Sequence, residues 1–332
     1  MIRSKIKTLR AIKQICPDYI KVLMVYFLGG AKDVRIRDRF GNEASVSIDG
    51  SNVREFMRFT RILRNNYQKW KINKGLLEID GYSIDLSEFE RLIDIIKMSF
   101  NVVKHGGQIR PYDNYYLVLM DGLKWICRKY KLSDFYLGPL LPYEIEPLEY
   151  QWFKRILKCG DVFVDVGASV GGYTLRACKI GARVFAIEPQ EDYYFILKKN
   201  IELNNFKAQL FKCACGQSAF SAPIYGHGDM ASLVKNWLNE EISGYVNVVP
   251  LDDIIPHDDI KLLKIDVEGY EIEVLRGAKE TLKRTEYIIL EVTDKTINQC
   301  NKFLQDLNFK MLDIIIHTSR LHETRDILFK RW

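Results

Sequence analysis

Residues 162–175 read Val162-Phe163-Val164-Asp165-Val166-Gly167-Ala168-Ser169-Val170-Gly171-Gly172-Tyr173-Thr174-Leu175. An apolar strand pattern runs into a glycine turn and leaves it as a helix pattern. Glycine at 167 and 171 permits a tight turn and the close approach of a ligand to the backbone. The helix start that follows presents free N–H groups to the same place. The rest of this half keeps that rhythm. Apolar strands at 162–166, 183–187, 209–213, 262–265 and 287–292 alternate with helical segments at 174–179, 193–203, 269–283 and 296–307. Alternation of this kind predicts an α/β fold, a doubly wound, mostly parallel sheet with helices on both faces. Segments 311–316 and 324–329 predict an antiparallel strand pair at its C-terminal end.

The first part of the chain has another character. Hairpins are expected around Arg39-Phe40-Gly41-Asn42, Asp80-Gly81 and Asp121-Gly122, and helices over 52–70 and 88–100. Pro139, Pro142 and Pro147 punctuate the chain before a further helix at 149–158. This divides the 332 residues into a small α+β region, 1–140, for acceptor recognition, assembly or targeting, and a doubly wound domain, 141–332. With 47% hydrophobic and 28% charged residues, the chain is neither disordered, collagen-like nor a disulfide scaffold.

The positive charge is concentrated early: residues 1–75 hold 17 Lys/Arg and 6 Asp/Glu. Ile2, Ile6, Leu9 and Ile12 fall at helical spacing between Arg3, Lys5, Lys7, Arg10 and Lys13, a basic amphipathic helix. Residues 1–30 therefore suit peripheral contact with an anionic membrane, or a helix packed on the domain with a solvated basic face. The same charge gives unspecific phosphate affinity, but no RRM, KH or zinc signature points to a nucleic-acid enzyme. No stretch reaches the ~20 apolar residues that span a bilayer. The 7 scattered Cys, with Cys213 and Cys215 lacking a second metal-binding pair, read as free thiols in a reducing compartment, so the cytoplasm is expected.

Three ligands compete for the glycine turn. A dinucleotide prefers G-x-G-x-x-G, whereas Gly167 and Gly171 stand at G-x-x-x-G after the acidic Asp165. An acidic residue at the strand end suits a cofactor with an ammonium group and no phosphate there, such as S-adenosylmethionine. Glu188, ending the second strand, suits a ribose diol. Finally, Gly167-Ala168-Ser169-Val170-Gly171 is a G-x-S-x-G nucleophile elbow, which would make Ser169 a hydrolase nucleophile with Asp266 and His317 in the required chain order.

Residues 150–293 resemble the FkbM family of S-adenosylmethionine-dependent methyltransferases. The resemblance is carried by Asp161 to Ala168, Ala186-Ile187-Glu188-Pro189, Leu197 to Asn204, Ala214-Cys215-Gly216, Leu251-Asp252-Asp253, Lys264-Ile265-Asp266-Val267-Glu268-Gly269, Glu271, Val274 to Ala278 and Glu291. It implies a Rossmann-like methyltransferase sheet and S-adenosylmethionine as cofactor. Asp165 and the segment Gly167, Ala168, Ser169 and Gly171, with Thr174 after it, would hold the methionine part. Glu188 and Pro189 would take the ribose, and Cys213 and Ala214 would lie along the adenine. Ser169 stands where the family commonly has Asn. Asn200 and Asn204 read as helix-end residues, and Glu271 and Glu273 as half solvent-facing.

Asp266 ends a buried strand, where open α/β sheets bind ligands. Transfer of a methyl to a hydroxyl needs an aligned acceptor and a base. Asp266 and Glu268 are the candidates, with no metal assigned, although the pair could instead bind a divalent metal. His227, in a glycine-containing loop, is a third candidate. Lys264 is expected to pair with a carboxylate or snorkel from the strand. The expected acceptor is a small molecule or glycan: a sugar hydroxyl, a glycolipid or polysaccharide unit, or a polyketide-like metabolite. An RNA methyltransferase using the basic N-terminal region is the alternative.

Overall fold

The computed structural model describes residues 104–129, 131–226, 228, 231–235, 241–318 and 323–332, with Met98, Asn101, Val102 and short strands within 33–85. The described residues fall into two compact units. One runs up to Gly122 and includes Cys127–Leu132; the other comprises Leu123–Ile126 and Ser133–Trp332.

In the first unit, Asp33–Arg37 pairs antiparallel with Glu43–Ser47. Leu76–Ile79 pairs antiparallel with Tyr82–Asp85, Ile79 opposite Tyr82 across the expected Asp80-Gly81 turn. Gln108–Tyr112 and Tyr115–Met120 form a further antiparallel pair. The basic helix expected over 2–15 and the helix over 52–70 lie outside the described residues.

Short helical turns at Leu132–Tyr136 and Leu141–Ile145 lead the second unit into helix α1 (Glu149–Ile156) and strand β1 (Val162–Val166). Then come α2 (Gly172–Ile180), β2 (Arg183–Ile187), α3 (Glu191–Leu203) and β3 (Gln209–Phe211). A second, small sheet follows from β4 (Ala214–Cys215), β5 (Phe220–Tyr225) and β6 (Ile242–Val249). The chain returns through α4 (Leu251–Ile254), β7 (Ile260–Ile265), α5 (Glu271–Arg276), α6 (Lys279–Lys283) and β8 (Thr285–Thr293). It ends in α7 (Ile297–Asp306), β9 (Phe309–Thr318) and β10 (Glu323–Arg331).

The main sheet has the order β3-β2-β1-β7-β8-β10-β9. Its first five strands are parallel, and β10 and β9 are antiparallel, as the alternation and the tail pattern predict. The fold is a doubly wound, Rossmann-like α/β sheet. Between β1 and β7 the strand order reverses, which opens a crevice at the carboxyl ends of both strands.

Period-two alternation sorts the side chains. Val164, Val166, Leu263 and Ile265 pack on one face with Val274, Leu275, Leu282 and Leu304. Phe163 and Leu262 pack on the other with Trp152, Phe153, Tyr173 and Ala177. Burial of each Val, Leu, Ile or Phe among them contributes about 1.5–3 kcal/mol. Asp165 and Lys264 share the second face and stand opposite each other in the register of β1 and β7. A charged pair thus lies inside an aromatic layer.

Two expected elements are corrected. The strand over 209–213 stops at Phe211, and Ala214 and Cys215 instead pair with Val248 and Val249 in the small sheet. The apolar pattern runs on through both strands, so it cannot show that the partner changes. The helix over 269–283 is two helices broken at Gly277 and Ala278. A side chain at 277 would place its Cβ 1.9 Å from the carbonyl oxygen of Gly216, so the break lets two backbones touch. Among the described residues no helix is long and apolar enough to cross a membrane.

Candidate functional site

The site is built on the end of β1. Gly167 takes φ 87°, and its N–H and that of Ala168 both donate to the carbonyl of Ile187 at the end of β2. A Cβ on Gly167 would lie 1.8 Å from the carbonyl oxygen of Asp266. Glycine is therefore required twice here, by the left-handed backbone and by the neighbouring strand end. The Asp266 N–H donates in turn to the Val166 carbonyl, which locks the ends of β1 and β7 together.

Glu188 follows β2 and is 4% exposed. Its Oε2 accepts the Ser169 N–H at 2.9 Å and its Oε1 the Gln190 N–H at 2.8 Å. Each oxygen retains acceptor capacity beyond its one backbone donor, as binding a vicinal diol requires. Burial raises its pKa to about 7, against the lowering effect of those two backbone donors. The Ser169 Oγ is buried with no hydrogen-bond partner. An orphaned hydroxyl beside a diol-binding carboxylate and a side-chain-free turn fits a nucleoside cofactor that carries a polar chain.

The cavity between these elements is lined by Gly167, Ser169, Glu188, Pro189, Cys213 and Ala214, and further by the carboxylates Glu146, Asp266, Glu268 and Glu291. Among the described lining residues there is no Lys, Arg or His. Asp266, Glu268 and Glu291 bring one carboxylate oxygen each within 4.8 Å of one another. Groups at this spacing can share a proton or a cation. Burial raises the pKa of Glu291 well above the ordinary carboxylate value, and Asp266, Asp326 and Glu268 add to the rise. Glu146 is raised to about 7 by burial, partly offset by Lys264. It accepts the Tyr173 hydroxyl hydrogen at 2.6 Å.

The family model of the methyltransferase FkbM domain matches residues 165–311, the stretch from the acidic end of β1 into β9. Over these residues the chain is similar to the FkbM methyltransferases. Hexuronic acid methyltransferase AglP of Haloferax volcanii is 27% identical over 136 residues, which are 40% of this chain and 56% of AglP. The chain thus spans about half the length of that relative. Methyltransferase sdnD of Sordaria araneosa is 27% identical over 187 residues, 42% of this chain and 72% of the relative. Among solved structures, P. horikoshii TYW2 in complex with MeSAdo is 13% identical, with 84% of this chain and 98% of that chain covered and a TM-score of 0.45.

Within the matched stretch, the expected residues separate by depth. Gly167, Ser169, Glu188, Pro189, Cys213, Ala214, Asp266 and Glu268 meet at the cavity. Asp165 does not line it. It is 2% exposed, accepts the Thr174 hydroxyl hydrogen at 2.6 Å, and faces Lys264 behind the turn. Thr174 is equally buried, and Ala168 and Gly171 shape the turn without lining the cavity. His227 lies outside the described residues. Just beyond it in the chain, the Gly228 carbonyl accepts from Gln190 Nε2, and Ser232 Oγ donates to the Glu268 carbonyl.

The hydrolase reading is overturned. His317 stands on β9, four strand positions from β1, and its ring nitrogen meets Glu149 and Asp326. At about 4.8 Å per strand, that separation rules out contact with Ser169. Glu271 is also corrected: it is 1% exposed, accepts the Gly269 N–H, and is pushed to about 7 by burial. Glu146 lines the cavity without any signal in the sequence. It lies in the Pro-punctuated stretch before α1, with no local pattern that aims it at a strand end 20 or more residues away. Glu291 did carry a signal, an acidic residue inside an apolar strand.

Proposed function

We propose that the FkbM domain is an S-adenosylmethionine-dependent O-methyltransferase acting on a hydroxyl of a sugar, glycan unit or polyketide-like metabolite. The observation that carries this reading is Glu188, a buried carboxylate whose two oxygens are fixed by backbone donors beside the orphaned Ser169 hydroxyl. When bound, the cofactor supplies an electrophilic methyl on a sulfonium sulfur. Glu188 accepts the ribose hydroxyls. The Gly167 turn and Ser169 hold the polar chain, while Cys213 and Ala214 border the adenine. Asp165 acts from behind, steadying the turn through Thr174 rather than touching the ligand.

The acceptor enters on the side of Asp266, Glu268 and Glu291. Asp266, with Glu268 beside it, would orient the acceptor hydroxyl and take its proton. Five carboxylates around the cavity favour a neutral, polyhydroxylic acceptor over a polyphosphate backbone. This weighs against the RNA reading of the basic N-terminal region.

Titration calorimetry with S-adenosylmethionine tests the cofactor site. Wild-type protein should bind, and Glu188→Ala should weaken binding at least about tenfold, equivalent to ~1.4 kcal/mol. Equal affinities would remove the site.

A further inference from the structure

The site described above leaves one cluster unused. Glu149 opens α1, His317 lies near the end of β9, and Asp326 sits in the middle of β10, diagonal to His317 across the antiparallel pair. His317 Nε2 lies 2.7 Å from Glu149 Oε1 and 2.9 Å from Asp326 Oδ2. We propose that Glu149, His317 and Asp326 bind a divalent transition-metal ion of the manganese-to-zinc series.

Three observations carry this. The first is stoichiometry of donors. One ring nitrogen carries at most one hydrogen, yet it faces two carboxylate oxygens at contact distance, so a proton serves each of them poorly. A metal ion shared by the nitrogen and both oxygens satisfies all three. The second is burial. Glu149 is 0% and Asp326 2% exposed, and the remaining Glu149 oxygen, Oε2, is buried with no hydrogen-bond partner. Buried charge without a partner is expensive. The third is charge balance. Glu146, Glu149, Asp165 and Asp326 are all buried; of the buried cations among the described residues, Lys264 already pairs with Asp266, and Arg176 donates to the carbonyls of Gly138, Pro139 and Gly172. A divalent ion balances Glu149 and Asp326 fully, whereas a protonated His317 balances half.

The donor set selects the metal. One imidazole nitrogen and two carboxylate oxygens suit Mn²⁺, Fe²⁺, Co²⁺ or Zn²⁺ better than Mg²⁺ or Ca²⁺, which prefer oxygen alone, or Cu⁺, which prefers sulfur. The three ligand atoms all lie within 4.8 Å of one another, compatible with metal–ligand distances of about 2.0–2.2 Å after small adjustments. His317 is 34% exposed, so an ion can enter and water can complete its coordination. The metal would tie α1 to the two C-terminal strands, directly behind the cavity wall, where Asp326 stands opposite Glu291.

The test uses the full chain, stripped with EDTA and titrated with CoCl₂. A visible d–d band saturating at one equivalent is expected, displaced by ZnCl₂, together with a rise in Tm that MgCl₂ does not produce. His317→Ala and the isosteric Glu149→Gln should both abolish the band. Glu268→Gln, in the separate cavity cluster, should keep it. If His317→Ala fails to fold, Glu149→Gln with a wild-type circular dichroism spectrum decides alone. A wild-type protein with no band and no Tm rise, or a band that survives Glu149→Gln, overturns the proposal and leaves a protonated His317 bridging two carboxylates. S-adenosylmethionine binding is measured separately, so the cofactor reading stands or falls independently.

Discussion

The Nζ of Lys264 lies 2.8 Å from the Oδ2 of Asp266, two residues further along the same chain. Lys264 is buried within the aromatic layer, its ammonium 5.1 Å from the Tyr173 ring centroid, while Asp266 reaches the cavity. Burial works against the lysine's charge, but Asp266, Glu146, Asp165 and Asp326 outweigh it and hold its pKa well above the ordinary value. One cation therefore organises four carboxylates contributed by four separate segments.

Removing that cation should be severe. Lys264→Met leaves Asp266, Asp165 and Glu146 without their shared partner, and breaking a buried ion pair from one side costs about 3–5 kcal/mol. Urea unfolding should show a loss of that order. Adding Asp266→Asn should recover part of it; strictly additive losses would mean the two residues do not interact.

Gly167→Ala should damage the site through the backbone. The residue holds φ 87°, and its new Cβ would meet the Asp266 carbonyl at 1.8 Å. The ends of β1 and β7 must then move apart. Calorimetry should show S-adenosylmethionine affinity falling more than about tenfold, or ~1.4 kcal/mol. Unchanged affinity would place the ligand elsewhere.

Stability of the ligand-free protein should fall as pH rises from about 4.5 to 7. Glu188 and Glu271 have native pKa values of about 7, raised from 4.5 chiefly by burial. The native state binds more protons than the unfolded chain in that window, so their contribution is fully present below 4.5 and is lost as pH passes through 7. Thermal unfolding across this range should show Tm declining, and Glu271→Gln should flatten the decline. A Tm that rises steadily toward neutral pH in both proteins would contradict the assignment.

Asn200→Ala should destabilise the fold from a distance. The buried Asn200 accepts the Ile126 N–H at 2.6 Å and donates to the Val170 carbonyl at 3.0 Å, which bridges residues far apart in sequence. Each orphaned group costs about 1–3 kcal/mol. A loss below 0.5 kcal/mol, within the ordinary range of surface substitutions, would argue against the bridge.

Asn200 also shows where local reading stops. A polar residue near a helix end reads as a cap, and only the packed chain reveals its two distant partners. The same holds for Asp165. Its place at a strand end suggests a ligand contact, but strand alternation turns it into the layer that also holds Lys264 and Tyr173.

What the sequence by itself determined is whatever depends on neighbours along the chain. The strand–glycine–helix segment at 162–175, the alternation that makes a parallel sheet, Glu188 after the second strand and Asp266 after the fourth parallel strand all follow from short-range sterics and hydrophobic periodicity. Tertiary structure decided what depends on convergence. Glu146 and Glu291 reach the cavity, His317 sits between Glu149 and Asp326, and the third strand hands over to a second sheet, because these relations join segments separated by up to 168 residues. Periodicity says which face a side chain takes. Only strand order and register say what meets it there.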